Sequence, residues 1–218
     1  MIRVLVADDH AVVRRGLKQI LREQPDIGDV GEAKNGQEAL ELARSGEWDV
    51  IVLDITMPGK SGLDVLKELR QGQSRVPVLI LSVHPEEQYA VRAFKTGASG
   101  YISKECAPDE LVLAVRKIIK GGKYVSETLA ERLASMLEEG APAPERLSDR
   151  EYQVMLMLAS GKSLSLIADE MALSVKTIST YRSRILEKMK LKNNAEIIRF
   201  ALRNGLVSPG VSEAESTD

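Results

Sequence analysis

The chain has a single cysteine, Cys106, so no disulfide can close within it, and such sparing use suits a reducing compartment. Nothing in its 218 residues reads as a signal peptide or as an apolar run long enough to cross a membrane, and residues 2–7 already read as a strand. A soluble, cytoplasmic chain without a membrane partner is therefore expected. No internal repeat is visible, which sets repeat arrays aside. A dominant charge of one sign is also missing, since the formal net charge is only −2. The balance is uneven, however. From Arg146 to Gly205 there are 11 Lys and Arg against 6 Asp and Glu, while the remainder carries 19 against 26. A basic segment on an otherwise acidic chain points to a polyanion as its partner.

What is present is a set of apolar runs that end in reactive groups. Asp54 closes the run Val50-Ile51-Val52-Leu53 and precedes Ile55-Thr56-Met57-Pro58-Gly59. A carboxylate after a buried strand is costly unless a cation or hydrogen-bond donors meet it. Asp8 and Asp9 follow Arg3–Ala7, Ser82 follows Val78–Leu81, and Lys104 follows Gly100-Tyr101-Ile102-Ser103. In open parallel α/β sheets such groups gather beyond the carboxyl ends of the strands. Two acids, a third acid, a hydroxyl and an ammonium together suit the holding of Mg²⁺ and of a phosphoryl group on Asp54. Mg²⁺ takes one or two carboxylates plus phosphate oxygens and keeps several waters. Asp8, Asp9 and Asp54 would supply the carboxylates, and the carbonyl of Thr56 would complete the shell. Asp54 is then the nucleophile, with Lys104 as a fixed cation and Ser82 as a hydrogen-bond partner of the added phosphoryl oxygen. Each residue alone has a plainer reading. Asp8-Asp9 could cap the helix that follows, Ser82 could be a turn residue and Lys104 a solvated charge. The ordered set outweighs those readings.

At this length one or two domains are expected, each able to bury a core. Strand-like runs at 2–7, 50–53, 77–81 and 100–103, with a weaker one at 30–33, alternate with amphipathic helices at 11–23, 36–45, 63–70, 86–96 and 108–120. Five βα units with short loops predict a doubly wound parallel sheet covered on both faces. Gly121-Gly122 breaks the pattern, Ser126–Glu138 reads as one more helix, and Gly140–Pro144 reads as a semi-rigid linker. Only helices follow, at 148–159, 163–171, 174–190 and 194–204, before a polar, frayed tail at 208–218. The division expected is 1–121, a linker at 122–145, a small all-α domain at 146–207 and the tail.

Helices 163–171 and 174–190 are separated by little more than Ala172-Leu173, the helix-turn-helix arrangement in which the second helix enters the major groove. Ile178, Ile185 and Met189 form one stripe that should face the core. Lys176, Thr177, Ser179, Thr180, Ser183 and Arg184 then look outward, towards base edges. Arg182, Lys188, Lys190 and Lys192 are placed to neutralise phosphates. Tyr181 could pack on the preceding helix or touch the DNA backbone. For each basic residue the plainer reading is a solvated helix face; the hydroxyl-rich, uncluttered face of the helix pair favours double-stranded DNA.

Residues 1–120 resemble a two-component receiver domain by Asp8-Asp9, Asp54-Ile-Thr-Met-Pro-Gly59, Ser82 and Tyr101-Ile-Ser-Lys104. Residues 147–205 resemble the LuxR-type helix-turn-helix by Leu147-Ser-Asp-Arg-Glu151, Ile167-Ala168, Ser174-Val-Lys-Thr-Ile178 and Tyr181-Arg-Ser-Arg-Ile-Leu186. Together they resemble a response regulator of the NarL/FixJ type over nearly the whole chain. The resemblance implies that a sensor histidine kinase phosphorylates Asp54 and that Ser82 is drawn to the phosphate. Tyr101 then turns inward, altering the face built from 86–96, 100–103 and 108–120. It implies a homodimer on DNA through helix 194–204, with RNA polymerase as a further partner, and no ordinary enzyme activity. Val83 is bulkier than many receivers carry beside Ser82 and is expected to narrow access to the phosphoryl group. His84 and His10 are read as incidental to the chemistry. Two other classes fit less well. An aspartyl-phosphate phosphatase would need an acid where Thr56 stands, and a phosphate-independent adaptor would leave the acid pair, Ser82, Lys104 and the basic helices without a shared purpose.

Overall fold

A computed structural model describes residues 1–84, 86–105, 108–126, 129–131 and 147–207, with the backbone alone at residues 86 and 87. Two compact units divide the chain, Met1–Gly140 and Ala141–Asp218. Cys106, the linker at 140–144 and the tail at 208–218 lie outside the described residues, as does most of the helix expected at 126–138, of which residues 129–131 are helical.

The first unit is a five-stranded sheet in the order β2-β1-β3-β4-β5, parallel throughout. Its strands are β1 Ile2–Ala7, β2 Ile27–Ala33, β3 Val50–Asp54, β4 Val78–Ser82 and β5 Gly100–Ser103. β3 and β4 are buried at every position, as their unbroken apolar runs require when helices cover both faces. The covering helices are α1 Ala11–Arg22, α2 Gly36–Ser45, α3 Gly62–Gln71, α4 Glu86–Thr96 and α5 Pro108–Ile119. β2 begins three residues before the expected strand. Gly28, Asp29 and Gly31 are weak strand formers, but pairing of Ile2–Ala7 with Ile27–Ala33 overrides local preference.

Strand order reverses between β1 and β3, so the crevice for a ligand opens beyond the ends of these two strands. Asp8 and Asp54 stand there. Behind them, α3 starts with a reciprocal capping box between Ser61 and Asp64. Gly62 lets that helix begin against β3, because a Cβ there would lie 2.0 Å from the carbonyl oxygen of Asp54.

The second unit holds four helices among its described residues: α6 Asp149–Ala159, α7 Leu164–Glu170, α8 Val175–Met189 and α9 Asn194–Arg203. The first three begin one residue later than expected, because Ser148, Ser163 and Ser174 are caps whose hydroxyls accept from the backbone three residues on. Val154, Met155, Ile167, Ile178, Ile185, Ile197 and Ala201 form the core. Ile178 and Ile185 face inward as expected, while Met189 is half-buried. Between α7 and α8, Ala172 takes a left-handed conformation (φ 52°) and Leu173 N–H returns to Ala168 O at 2.9 Å. No described helix is long and apolar enough to cross a membrane.

Candidate phosphoacceptor site and nucleic-acid interface

Asp8, Asp9, Asp54 and Lys104 converge. Lys104 Nζ lies 2.8 Å from Asp54 Oδ2 and 2.7 Å from Asp8 Oδ2, with all three side chains nearly or wholly buried. Thr56 N–H donates to Asp54 Oδ1 at 3.1 Å. Asp8 Oδ1 accepts from His10 N–H at 2.8 Å, and His10 itself occupies the N-cap of α1 without a side-chain cap bond. Asp8 and Asp9 are thus not the cap of that helix. Ligand atoms of Asp8, Asp9, His10 and Asp54 lie within 4.8 Å of one another.

Three carboxylates against one ammonium leave excess negative charge in a largely buried crevice. Burial pushes the Asp54 carboxyl up to about 6 from 3.8, and Asp8 adds to the rise against the pull of Lys104 and the Thr56 amide. Burial alone would lower the Lys104 ammonium, but Asp54 and Asp8 outweigh it and hold it above its usual value. Such a donor set fits a hard divalent cation, which removes the repulsion that a single lysine leaves.

A pH dependence follows from these shifts. The folded chain keeps on Asp54 a proton that the unfolded chain releases, so metal-free stability falls as pH rises from about 4 to about 6. Mg²⁺ held by these acids would require the ionised form, so its affinity should rise through about pH 6 and level above about pH 7. Thermal unfolding with Mg²⁺ or chelator across this range checks both trends. An Mg²⁺ affinity unchanged between about pH 5 and about pH 7 contradicts them.

Ser82 and Tyr101 meet at a residue read from the sequence as incidental. His84 N–H donates to Ser82 Oγ at 3.0 Å, its carbonyl accepts from the Tyr101 hydroxyl at 3.0 Å, and its Nε2 lies 3.1 Å from Thr56 Oγ1. Its ring also sits 4.9 Å from that of Tyr89. Tyr101 is wholly buried, already inward, because the His84 carbonyl satisfies its hydroxyl. Val83 is 63% exposed and turned to solvent rather than into the crevice. The one sequence signal for His84 is its place two residues beyond Ser82.

On the second unit, Lys176, Ser179, Thr180, Ser183, Arg184, Lys190 and Lys192 are exposed, and Thr177 and Tyr181 are half-buried. The hydroxyls of Thr180 and Ser183 bond back to the carbonyls of Lys176 and Ser179, and Thr177 Oγ1 pairs with Ser174 Oγ at 2.8 Å. Two residues expected on phosphates have protein partners in this structure. Arg182 Nε donates to Asn194 Oδ1 at 2.6 Å, tying α8 to α9. Lys188 Nζ lies 2.6 Å from Glu151 Oε2, which is buried in α6 and also accepts from Ser148 N–H at 2.8 Å. Burial would raise the Glu151 carboxyl, yet Lys188 and the Ser148 bonds outweigh it and hold it below its usual value.

An α/β domain with a buried cluster of acids and a lysine, followed by a basic helix-turn-helix unit, is the architecture of two-domain DNA-binding regulators. Residues 4–116 match the response regulator receiver domain family, and residues 145–201 match the LuxR family of bacterial regulatory proteins. The response regulator UvrY of Escherichia coli K12 is 36% identical over 209 residues, covering 94% of this chain and 96% of its own length. The response regulator GacA of Pseudomonas aeruginosa PAO1 is 37% identical over 210 residues, covering 95% and 98%. RcsB of Salmonella enterica serovar Typhimurium, solved on the rprA promoter with phosphomimetic BeF3⁻, shares the fold with TM-score 0.62 at 21% identity, covering 91% and 97%. The chain belongs to the NarL/FixJ-type response regulators, transcription regulators that join a receiver to a LuxR-type DNA-binding domain.

Proposed function

We propose that a sensor histidine kinase transfers a phosphoryl group to Asp54 in the receiver, residues 1–121. The acyl phosphate then switches how residues 146–207 bind DNA, with 122–145 as the connecting segment. The observation that carries this reading is the buried meeting of Asp8, Asp54 and Lys104 at the sheet's reversal point. In the transfer an Asp54 carboxylate oxygen attacks phosphorus while the bond to the kinase histidine nitrogen breaks, and that nitrogen keeps the electron pair. Bound by Asp8, Asp9, Asp54 and the Thr56 carbonyl, Mg²⁺ would neutralise charge on the phosphoryl oxygens. Lys104 holds a fixed positive charge beside the attacked group, and Ser82 turns its hydroxyl to a phosphoryl oxygen. No small-molecule turnover is expected, since Asp54 is followed two residues on by Thr56 rather than a second acid. A homodimer through α9 would read a roughly palindromic site.

DNA binding separates by residue. Lys176 and Arg184 are exposed on α8, so Lys176→Ala and Arg184→Ala should each weaken binding and flatten the salt dependence by about one counterion. Lys188→Ala should leave the slope unchanged, because that ammonium is held by Glu151. Affinities for a duplex selected from a random pool, measured across a salt series, test this. Equal slopes for all three variants and the native chain contradict the assignment.

A further inference from the structure

β5 is an edge strand, and its outer side is covered by the residues that leave α5 for the second unit. Tyr124 forms a parallel bridge with Gly100: its N–H donates to Ser99 O at 3.0 Å, and its carbonyl accepts from Tyr101 N–H at 3.2 Å. Lys123 Nζ donates to Ala98 O at 2.7 Å, fastening the same segment to the loop that follows α4. The Tyr124 ring lies 5.6 Å from Lys117 Nζ, and its hydroxyl donates to Glu110 on α5 at 3.2 Å. Gly100 makes the approach feasible, since a Cβ there would lie 2.9 Å from Tyr124 Cβ.

Tyr101 therefore faces two ways. Its hydroxyl holds the His84 carbonyl, His84 N–H holds Ser82 Oγ, and Lys104 N–H holds Ser82 O at 2.8 Å while Lys104 Nζ holds Asp54. Its backbone amide holds Tyr124. From these contacts, and resting on the function proposed above, we infer that Tyr124 is a positioning residue that couples the Asp54 site to the DNA-binding unit. When Ser82 turns to the phosphoryl group, His84 N–H loses its acceptor and the His84 carbonyl shifts with its loop. Tyr101 follows, and the ladder that holds Tyr124 loosens. A docked and an undocked segment are the two states that phosphate biases.

Two readouts on the full chain test the coupling, with Mg²⁺ present and beryllofluoride as the probe. Amide exchange over residues 120–126 should quicken tenfold or more when beryllofluoride is added; unchanged or slower exchange overturns the inference. Tyr124→Ala removes the ring's packing, and it should still bind beryllofluoride while losing most of the native ratio of DNA affinities with and without it. Tyr124→Phe loses the Glu110 bond but keeps the ring, and should keep that ratio. Lys123→Met should reduce the ratio too, and serves if Tyr124→Ala melts too low to assay. A native ratio in both Tyr124→Ala and Lys123→Met overturns the inference. A native chain whose DNA affinity ignores beryllofluoride would contradict the proposed function instead, and the exchange measurement, which needs no DNA, would still decide the coupling.

Discussion

Lys104→Met should destabilise the metal-free receiver by about 3 kcal/mol or more at neutral pH, the cost of leaving buried charge without its partner. The variant keeps the length of the side chain and removes its ammonium, so Asp8 and Asp54, both about 1% exposed, face each other uncompensated. Mg²⁺ at about 100 times its dissociation constant should restore roughly 2.7 kcal/mol, because it binds the folded form. Adding Asp54→Asn to the variant should also recover most of the loss, since one buried charge is then gone. Phosphoryl uptake from acetyl phosphate should slow by about 100-fold, the usual scale for removing a preorganised charge-stabilising group. Urea unfolding with and without Mg²⁺ measures the first effect. A variant as stable as the native chain without metal would mean that Lys104 does not hold the acid pair in solution.

Glu151→Ala should cost the DNA-binding unit about 2–3 kcal/mol, because one carboxylate serves two purposes there. It closes the capping box of α6 by accepting from Ser148 N–H, and it anchors Lys188 of α8. Its removal leaves an amide without its partner and loosens the C-terminal half of α8 against α6. DNA affinity should fall with stability, while the salt slope stays native. The folded pKa of Glu151 lies below its ordinary value of 4.5, so the pair stabilises above that pH. That stability is lost as pH falls through the folded value. Lys188→Met should remove the same pH dependence. Unfolding of the full chain, followed with separate probes of each unit, measures the effect, and native-like stability in Glu151→Ala would contradict the role.

Much of this organisation could be read in the residues. β1, β3, β4 and β5 were legible because strands buried on both faces are written as apolar runs, and the reactive side chains stand at their ends. β2 was legible only in its second half, since Gly28, Asp29 and Gly31 carry no strand preference and β1 decides the pairing. His84 could not be recognised as a hub, because its bond to Thr56 spans 28 residues and leaves no local pattern. On α8 the charges were legible but their partners were not. A lysine on a helix face has the same sequence whether it meets phosphate or, like Lys188, a buried glutamate in another helix. Tyr124 lay beyond Gly121-Gly122, where the pattern stopped, and its place on the edge of β5 comes from pairing with residues more than twenty positions earlier.

Asp54 is held to accept a phosphoryl group with help from a metal bound by the acids around it, and everything downstream depends on that step. Intact mass after exposure to acetyl phosphate, with and without Mg²⁺, for the native chain and Asp54→Ala, tests it most directly. One phosphoryl adduct that requires Mg²⁺ and is missing from Asp54→Ala is the expected result. A well-folded native chain that gains no adduct, or an adduct that persists in Asp54→Ala, would contradict the account.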